Sequence, residues 1–224
     1  GKRLADDSIP DKIQRSLDFL STSKVNPENG LFPVIYADGK WQGGGDPVSC
    51  GQAMYNCAKA IECARKRRKY ETRKWEDFLQ AACRGVNHRI LSDSWNPVST
   101  NEGFYIAPLA IASRLFKDRT FRQAAEKAAA LYADCHLQMD GCYWGGTLDA
   151  TCEDKEGAWA AFQGFLELYE RLVDFARRKG IVIVNDNPYS FILNDNPISI
   201  LSVEGAKECC IEFNSMSKSH NMPG

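Results

Sequence analysis

Two groups of residues in this chain have types and spacings that could carry chemistry. The first is spread over three irregular stretches, near residues 23–48, 92–101 and 139–154, and the helix starts that follow them, with glycine clusters at 43–45 and 145–146. These hold the aromatic side chains Trp41, Trp95, Tyr143 and Trp144 and the carboxylates Glu102, Asp149, Glu153 and Asp154. Sugar C–H faces stack on aromatic rings and sugar hydroxyls bond to acids, so such a set suits a saccharide groove. Paired carboxylates add the means for glycosidic acid–base chemistry. The same acids near helix starts also suit capping and the helix dipole, as Asp46 does before the second helical stretch. The second group lies in the tail, where Asp186-x-x-Tyr189 follows one apolar run and Ser215-x-x-Lys218 follows another. A lysine amine with a lowered pKa is a nucleophile toward aldehydes.

The elements that must position the first group are helices. Residues 8–178 read as six of them. Ser8 caps the first, with Ile9, Ile13, Leu17 and Leu20 on one face. The others cover about 49–66, 72–91, 102–116, 120–138 and 155–178. Long connections follow helices one, three and five, and short ones follow helices two and four. In an up-down array the long connections then gather at one end. The fold expected is mainly α, an array of about six antiparallel helices over residues 1–170, followed by a short α/β remnant over 171–224.

Composition narrows the function classes. The chain has 224 residues, 44% apolar and 25% charged, with a net charge of −1. This balance gives no electrostatic case for nucleic acid or an anionic membrane. No apolar run reaches the roughly 18 residues of a membrane span. Nine cysteines without framework spacing point to reduced thiols and a cytoplasmic setting. Cys135, His136, Cys142 and Cys152 match no zinc module, so no metal is expected.

Three segments carry a resemblance: Gly30-Leu31-Phe32-Pro33, Asn101 to Leu109, and Cys152 to Trp159. They resemble stretches of the six-hairpin, α/α-toroid glycosidase-like proteins, and six helices would be half of such a ring. That resemblance implies a saccharide partner and no cofactor for residues 1–170. Its catalytic candidates are Glu102, Asp149, Glu153 and Asp154, and its substrate-binding candidates are Trp41, Trp95, Tyr143 and Trp144.

From about Leu172 the pattern changes to helix, Gly180, the apolar run Ile181–Val184, Asp186-x-x-Tyr189, the run 208–213, and Ser215-Met216-Ser217-Lys218-Ser219-His220-Asn221-Met222. This order resembles the large domain of fold-type I aminotransferases. The resemblance implies pyridoxal phosphate, with Lys218 as its imine-forming lysine. Asp186 would face the pyridinium nitrogen, Tyr189 the phenolic oxygen and Ser215 the phosphate. It also implies a phosphate loop, a ring-stacking residue, a carboxylate-binding arginine and a small domain, none of which the chain contains in recognisable form. The cofactor is therefore not expected to be held.

No Pro-, Gly- or Ser-rich linker separates the two parts, and residues 167–174 fit a helix of either. The chain reads as a truncated chimera of two genes, joined near residues 168–173 and cut at both ends. The function expected is a fragment of a carbohydrate-active protein joined to an incomplete aminotransferase segment, without the full activity of either. Two alternatives stand beside it: an aminotransferase fragment using Lys218, and a non-catalytic saccharide-binding helical module.

Overall fold

The computed structural model describes residues 8–67, 70–97, 99–138, 155–186 and 199–213. They are mainly helical, and the chain divides into two compact units, residues 1–167 and 168–224. No helix among the described residues is long and apolar enough to cross a membrane.

The first unit contains α1 (Ser8–Leu20), α2 (Pro47–Arg67), α3 (Arg73–Leu91), α4 (Ile106–Phe116), α5 (Arg119–Gln138) and α6 (Lys155–Glu167). Its helices form two layers, with α2 packed on α4 and α4 on α6, while α1 packs on α3 and α3 on α5. A 3-10 helix, Thr100–Tyr105, leads into α4 and packs against α2 and α6. The core between the layers holds Phe32, Met54, Ile61, Trp75, Leu79, Ile90, Tyr105, Leu109, Ile111, Phe121 and Tyr132, each fully or almost fully buried. Burial of this order, about 1.5–3 kcal/mol for each large apolar side chain, drives the assembly.

Local chemistry sets the helix ends. Asp46 caps α2, accepting the Ser49 amide at 2.9 Å, and Pro47 fills the first helical position. Asp118 does the same for α5 by accepting the Thr120 amide at 2.9 Å. Lys117, at φ 56°, takes the left-handed conformation that lets α4 turn into α5 across two residues.

Two features depart from the helical reading. The stretch before α2 contains a hairpin, β1 (Ile35–Ala37) and β2 (Lys40–Gln42), with Tyr36 opposite Trp41. Asp38 and Gly39, both at positive φ, make the two-residue turn that such a hairpin needs. The single helix expected over 155–178 is instead α6 and α7 (Tyr169–Lys179), broken at the buried Leu168, whose φ −116° and ψ 57° leave the helical region.

The second unit comprises α7, β3 (Ile183–Asp186) and β4 (Cys210–Phe213), with short 3-10 turns at Ile200–Ser202 and Ala206–Glu208. Gly180, at φ 64°, ends α7, and the Ile181 amide returns to the Ala176 carbonyl at 2.9 Å. β3 and β4 pair in parallel, Ile183 with Cys210 through Asp186 with Phe213. The apolar run before Asp186 is a parallel strand, but it is not buried. Val182, Val184, Ile211 and Phe213 are 59%, 58%, 47% and 55% exposed. Among the described residues no further strand covers or flanks this pair.

Candidate functional site

In a parallel sheet, ligands gather at the carboxyl ends of the strands, where the connecting segments depart. The second unit has one such edge. Asp186 is the last residue of β3 and is level with Phe213, the last residue of β4. The chain that leaves β4 runs on to Ser215 and Lys218, which with Tyr189 lie outside the described residues. Topology therefore brings Asp186 and the end of β4 to one edge.

A carboxylate that sequence reasoning missed organises this edge. Glu212 Oε2 accepts Asn185 Nδ2 at 3.1 Å, Ser199 Oγ at 3.0 Å and the Ile200 amide at 3.1 Å. It ties the segment entering β4 to the strand that bears Asp186. The alternation of β4 points to Glu212 as a polar position, but its partners are 12–27 residues away and leave no local signal.

In the first unit the structure joins Trp95 and Glu102 and leaves Trp41 elsewhere. The indole Nε1 of Trp95 donates to Glu102 Oε2 at 2.7 Å. Arg89 Nη2 lies 2.7 Å from the same oxygen, an ion pair rather than an aligned hydrogen bond. Lys127 Nζ sits 5.5 Å above the Trp95 ring and donates to the Ser92 carbonyl at 3.0 Å. Glu102 is thus half-enclosed, 15% exposed, with its charge answered by a guanidinium. Arg89 stacks 5.8 Å over Tyr105, whose buried hydroxyl finds no partner among the described residues. Burial, the largest effect, pushes the Tyr105 phenol far above its ordinary pKa, so it stays protonated.

Trp41 belongs to a separate surface cluster. Its ring lies 4.9 Å from Phe19 and 5.4 Å from Tyr36, and its Nε1 donates to Thr22 Oγ1 at 2.9 Å. Tyr143, Trp144, Asp149, Glu153 and Asp154 lie outside the described residues. Asp46 is a helix cap. Among the described residues no group of three or more His, Cys, Asp or Glu is placed to hold a metal ion.

Comparison with known proteins finds relatives for part of the chain. A stretch of 61 residues is 49% identical to LL-diaminopimelate aminotransferase of Aquifex aeolicus. The likeness is local. It takes in 26% of this chain and 16% of that enzyme. The enzyme of the same name from Halothermothrix orenii is 52% identical over 60 residues, 26% of this chain and 15% of the relative. That of Nitratidesulfovibrio vulgaris is 46% identical over 59 residues, 25% and 15%. The chain therefore spans about one sixth of the length of the curated relatives it matches. No family model matches the chain, and no solved structure does. No comparison supports the glycosidase-like resemblance of residues 1–170 or a chimeric origin.

Proposed function

We propose that residues 168–224 are the lysine-bearing segment of an aminotransferase large domain, and that the chain carries this segment in incomplete form. The observation that carries the reading is 46–52% identity over about 60 residues to LL-diaminopimelate aminotransferases. The parallel β3–β4 pair, with Asp186 closing one strand and the Ser-x-x-Lys segment leaving the other, is the frame such a segment needs.

The residues present fit pyridoxal phosphate on one side only. Lys218 would supply the amine that holds its aldehyde, Asp186 the charge beside its ring nitrogen, Tyr189 a hydrogen bond and Ser215 a phosphate contact. When bound, the cofactor serves as an electron sink for carbon–hydrogen cleavage. Among the described residues the strand faces are exposed and supply no enclosure, whereas an imine-forming lysine needs a desolvating or cationic surrounding to activate it. Transamination by this chain alone is therefore not expected.

The test is a graft. Residues 168–224 replace the equivalent stretch of the Aquifex aeolicus enzyme, and imine absorbance and transamination are measured. The graft should show both, and Lys218→Ala in it should lose both. A folded graft that never develops the imine band sinks the reading.

For the first unit we propose a saccharide-binding role on a half-ring of helical hairpins. Its two helix layers and the surface cluster of Phe19, Tyr36 and Trp41 support this. Glu102, already paired with Arg89, suits binding better than proton transfer. Calorimetry with oligosaccharides should detect binding that weakens at least about tenfold in Trp41→Ala or Trp95→Ala. Unchanged affinity in both variants would exclude both places as the saccharide surface. Hydrolysis that survives deletion of residues 172–224 would assign catalysis to this unit.

A further inference from the structure

Adjacent residues of a strand point to opposite faces, which holds their side chains apart. Cys209 and Cys210 depart from this. Cys209 lies just before β4 with φ −139° and ψ 4°, far from extended backbone, and the turn brings both side chains inward. Each residue is only 8% exposed, and the two sulfur atoms are 3.7 Å apart. Cys209 also lines an open cleft of about 540 Å³ between the end of α7 and the start of β3, with Ala176, Arg178, Ile181 and Val182 on its walls. Cys210 does not line that cleft. Cys209 is thus a wall residue of a space large enough for a small molecule, its thiol donating to the Val173 and Gly205 carbonyls at 3.8 and 3.9 Å, and the Cys210 sulfur lies within reach of it.

We propose that Cys209 and Cys210 are an attacking and resolving thiol pair that closes to a vicinal disulfide when a low-molecular-weight disulfide enters this cleft. In the first step the Cys209 thiolate attacks one sulfur of the incoming disulfide, and one small thiolate leaves. In the second, the Cys210 thiolate attacks Cys209 Sγ of the mixed disulfide and expels the other. Two protein thiols lose two electrons and two protons, and one small disulfide becomes two thiols. Burial, the largest effect, raises Cys210 to about 11, with Cys209 beside it adding to the rise. The second step therefore quickens as pH rises toward that value. Neighbouring Cα atoms are only about 3.8 Å apart, shorter than the usual disulfide span, so the ring is strained and readily reduced. The Cys209 carbonyl accepts the Ile183 amide at 2.8 Å, so ring closure acts on the peptide that starts the β3–β4 pairing.

The sequence offers a clean readout, because trypsin releases Glu208–Lys218 with these two cysteines and no others. The intact chain is treated with glutathione disulfide at about pH 9, where more thiol is ionised, then quenched in acid, alkylated and digested. The exposed Cys63 serves as the internal control for reagent activity. The expected result is a 208–218 peptide lighter by about 2 Da, unalkylated, and restored by dithiothreitol. Cys210→Ser should instead retain glutathione on Cys209. If the wild-type peptide keeps two alkylated thiols, or keeps glutathione, while Cys63 has reacted, the pair does not close and the proposal is overturned. The wild-type measurement decides the matter even if the variant fails to fold.

Discussion

The carboxylate of Glu102 receives an indole N–H and faces a guanidinium, which makes it a fastening point of the loop that precedes α4. Glu102→Gln leaves Arg89 with a half-enclosed, uncompensated charge. The expected cost is about 1–3 kcal/mol in urea unfolding, and a variant as stable as wild type would show that the pair is idle. The buried thiols make a second residue-scale prediction. Burial pushes Cys57 up to about 12 and moves Cys83 upward as well, with Cys57 adding to the rise at Cys83. An unfolded thiol ionises near 9.0. A raised folded pKa contributes stability that is whole below pH 9 and is lost as pH climbs toward 12. Urea midpoints should therefore fall above about pH 9, by up to about 1.4 kcal/mol per pH unit for each buried thiol. Cys57→Ala should make that decline shallower, and an unchanged slope would contradict the assignment.

Packing between elements depends on two glycines. A Cβ on Gly51 of α2 would lie 2.6–2.9 Å from Phe104, including its backbone carbonyl, and one on Gly164 of α6 would lie 2.4 Å from Ile106. Gly51→Ala meets the Phe104 backbone and must push α2 off the 3-10 helix before α4, while Gly164→Ala meets Cγ2 and Cβ of Ile106, of which only Cγ2 can turn aside. Both should destabilise, by about 1–3 kcal/mol, with Gly51→Ala the worse. Chemical denaturation of the two variants checks the order. Most helices were legible from apolar spacing and caps, since these act within a few residues. The 35–42 hairpin also had a local signal, Asp38-Gly39 between β-forming residues, which the surrounding loop composition hid. The break at Leu168 had none, for no glycine or proline stands there, and nothing in the structure explains it. The motif Gly30-Leu31-Phe32-Pro33 and the run 101–109 looked like site segments. Phe32, Phe104, Tyr105, Ile106 and Leu109 are buried, so these stretches carry core packing in the first place.

At the scale of the whole molecule, residues 1–167 bury two layers of helices, whereas the described residues of 168–224 pair two short strands with open faces. The two strands and one helix described there lack the core for independent stability. Residues 1–167 produced alone should therefore unfold cooperatively and keep their helical circular dichroism. Residues 168–224 alone should show no cooperative transition. A sharp transition in the shorter piece would mean that its exposed strands are covered by residues outside those described. By itself the sequence determined the helical character of the first unit, the strand-acid and strand-lysine order of the second, and the absence of a strong charge bias. These follow from periodicity, composition and residue order, all of them local properties. Only the tertiary structure decided that Arg89 holds Glu102, that Glu212 gathers the edge beside Asp186, and that the Cys209 and Cys210 sulfurs lie 3.7 Å apart. Each depends on backbone angles or on partners brought together by folding, and no spacing along the chain records them.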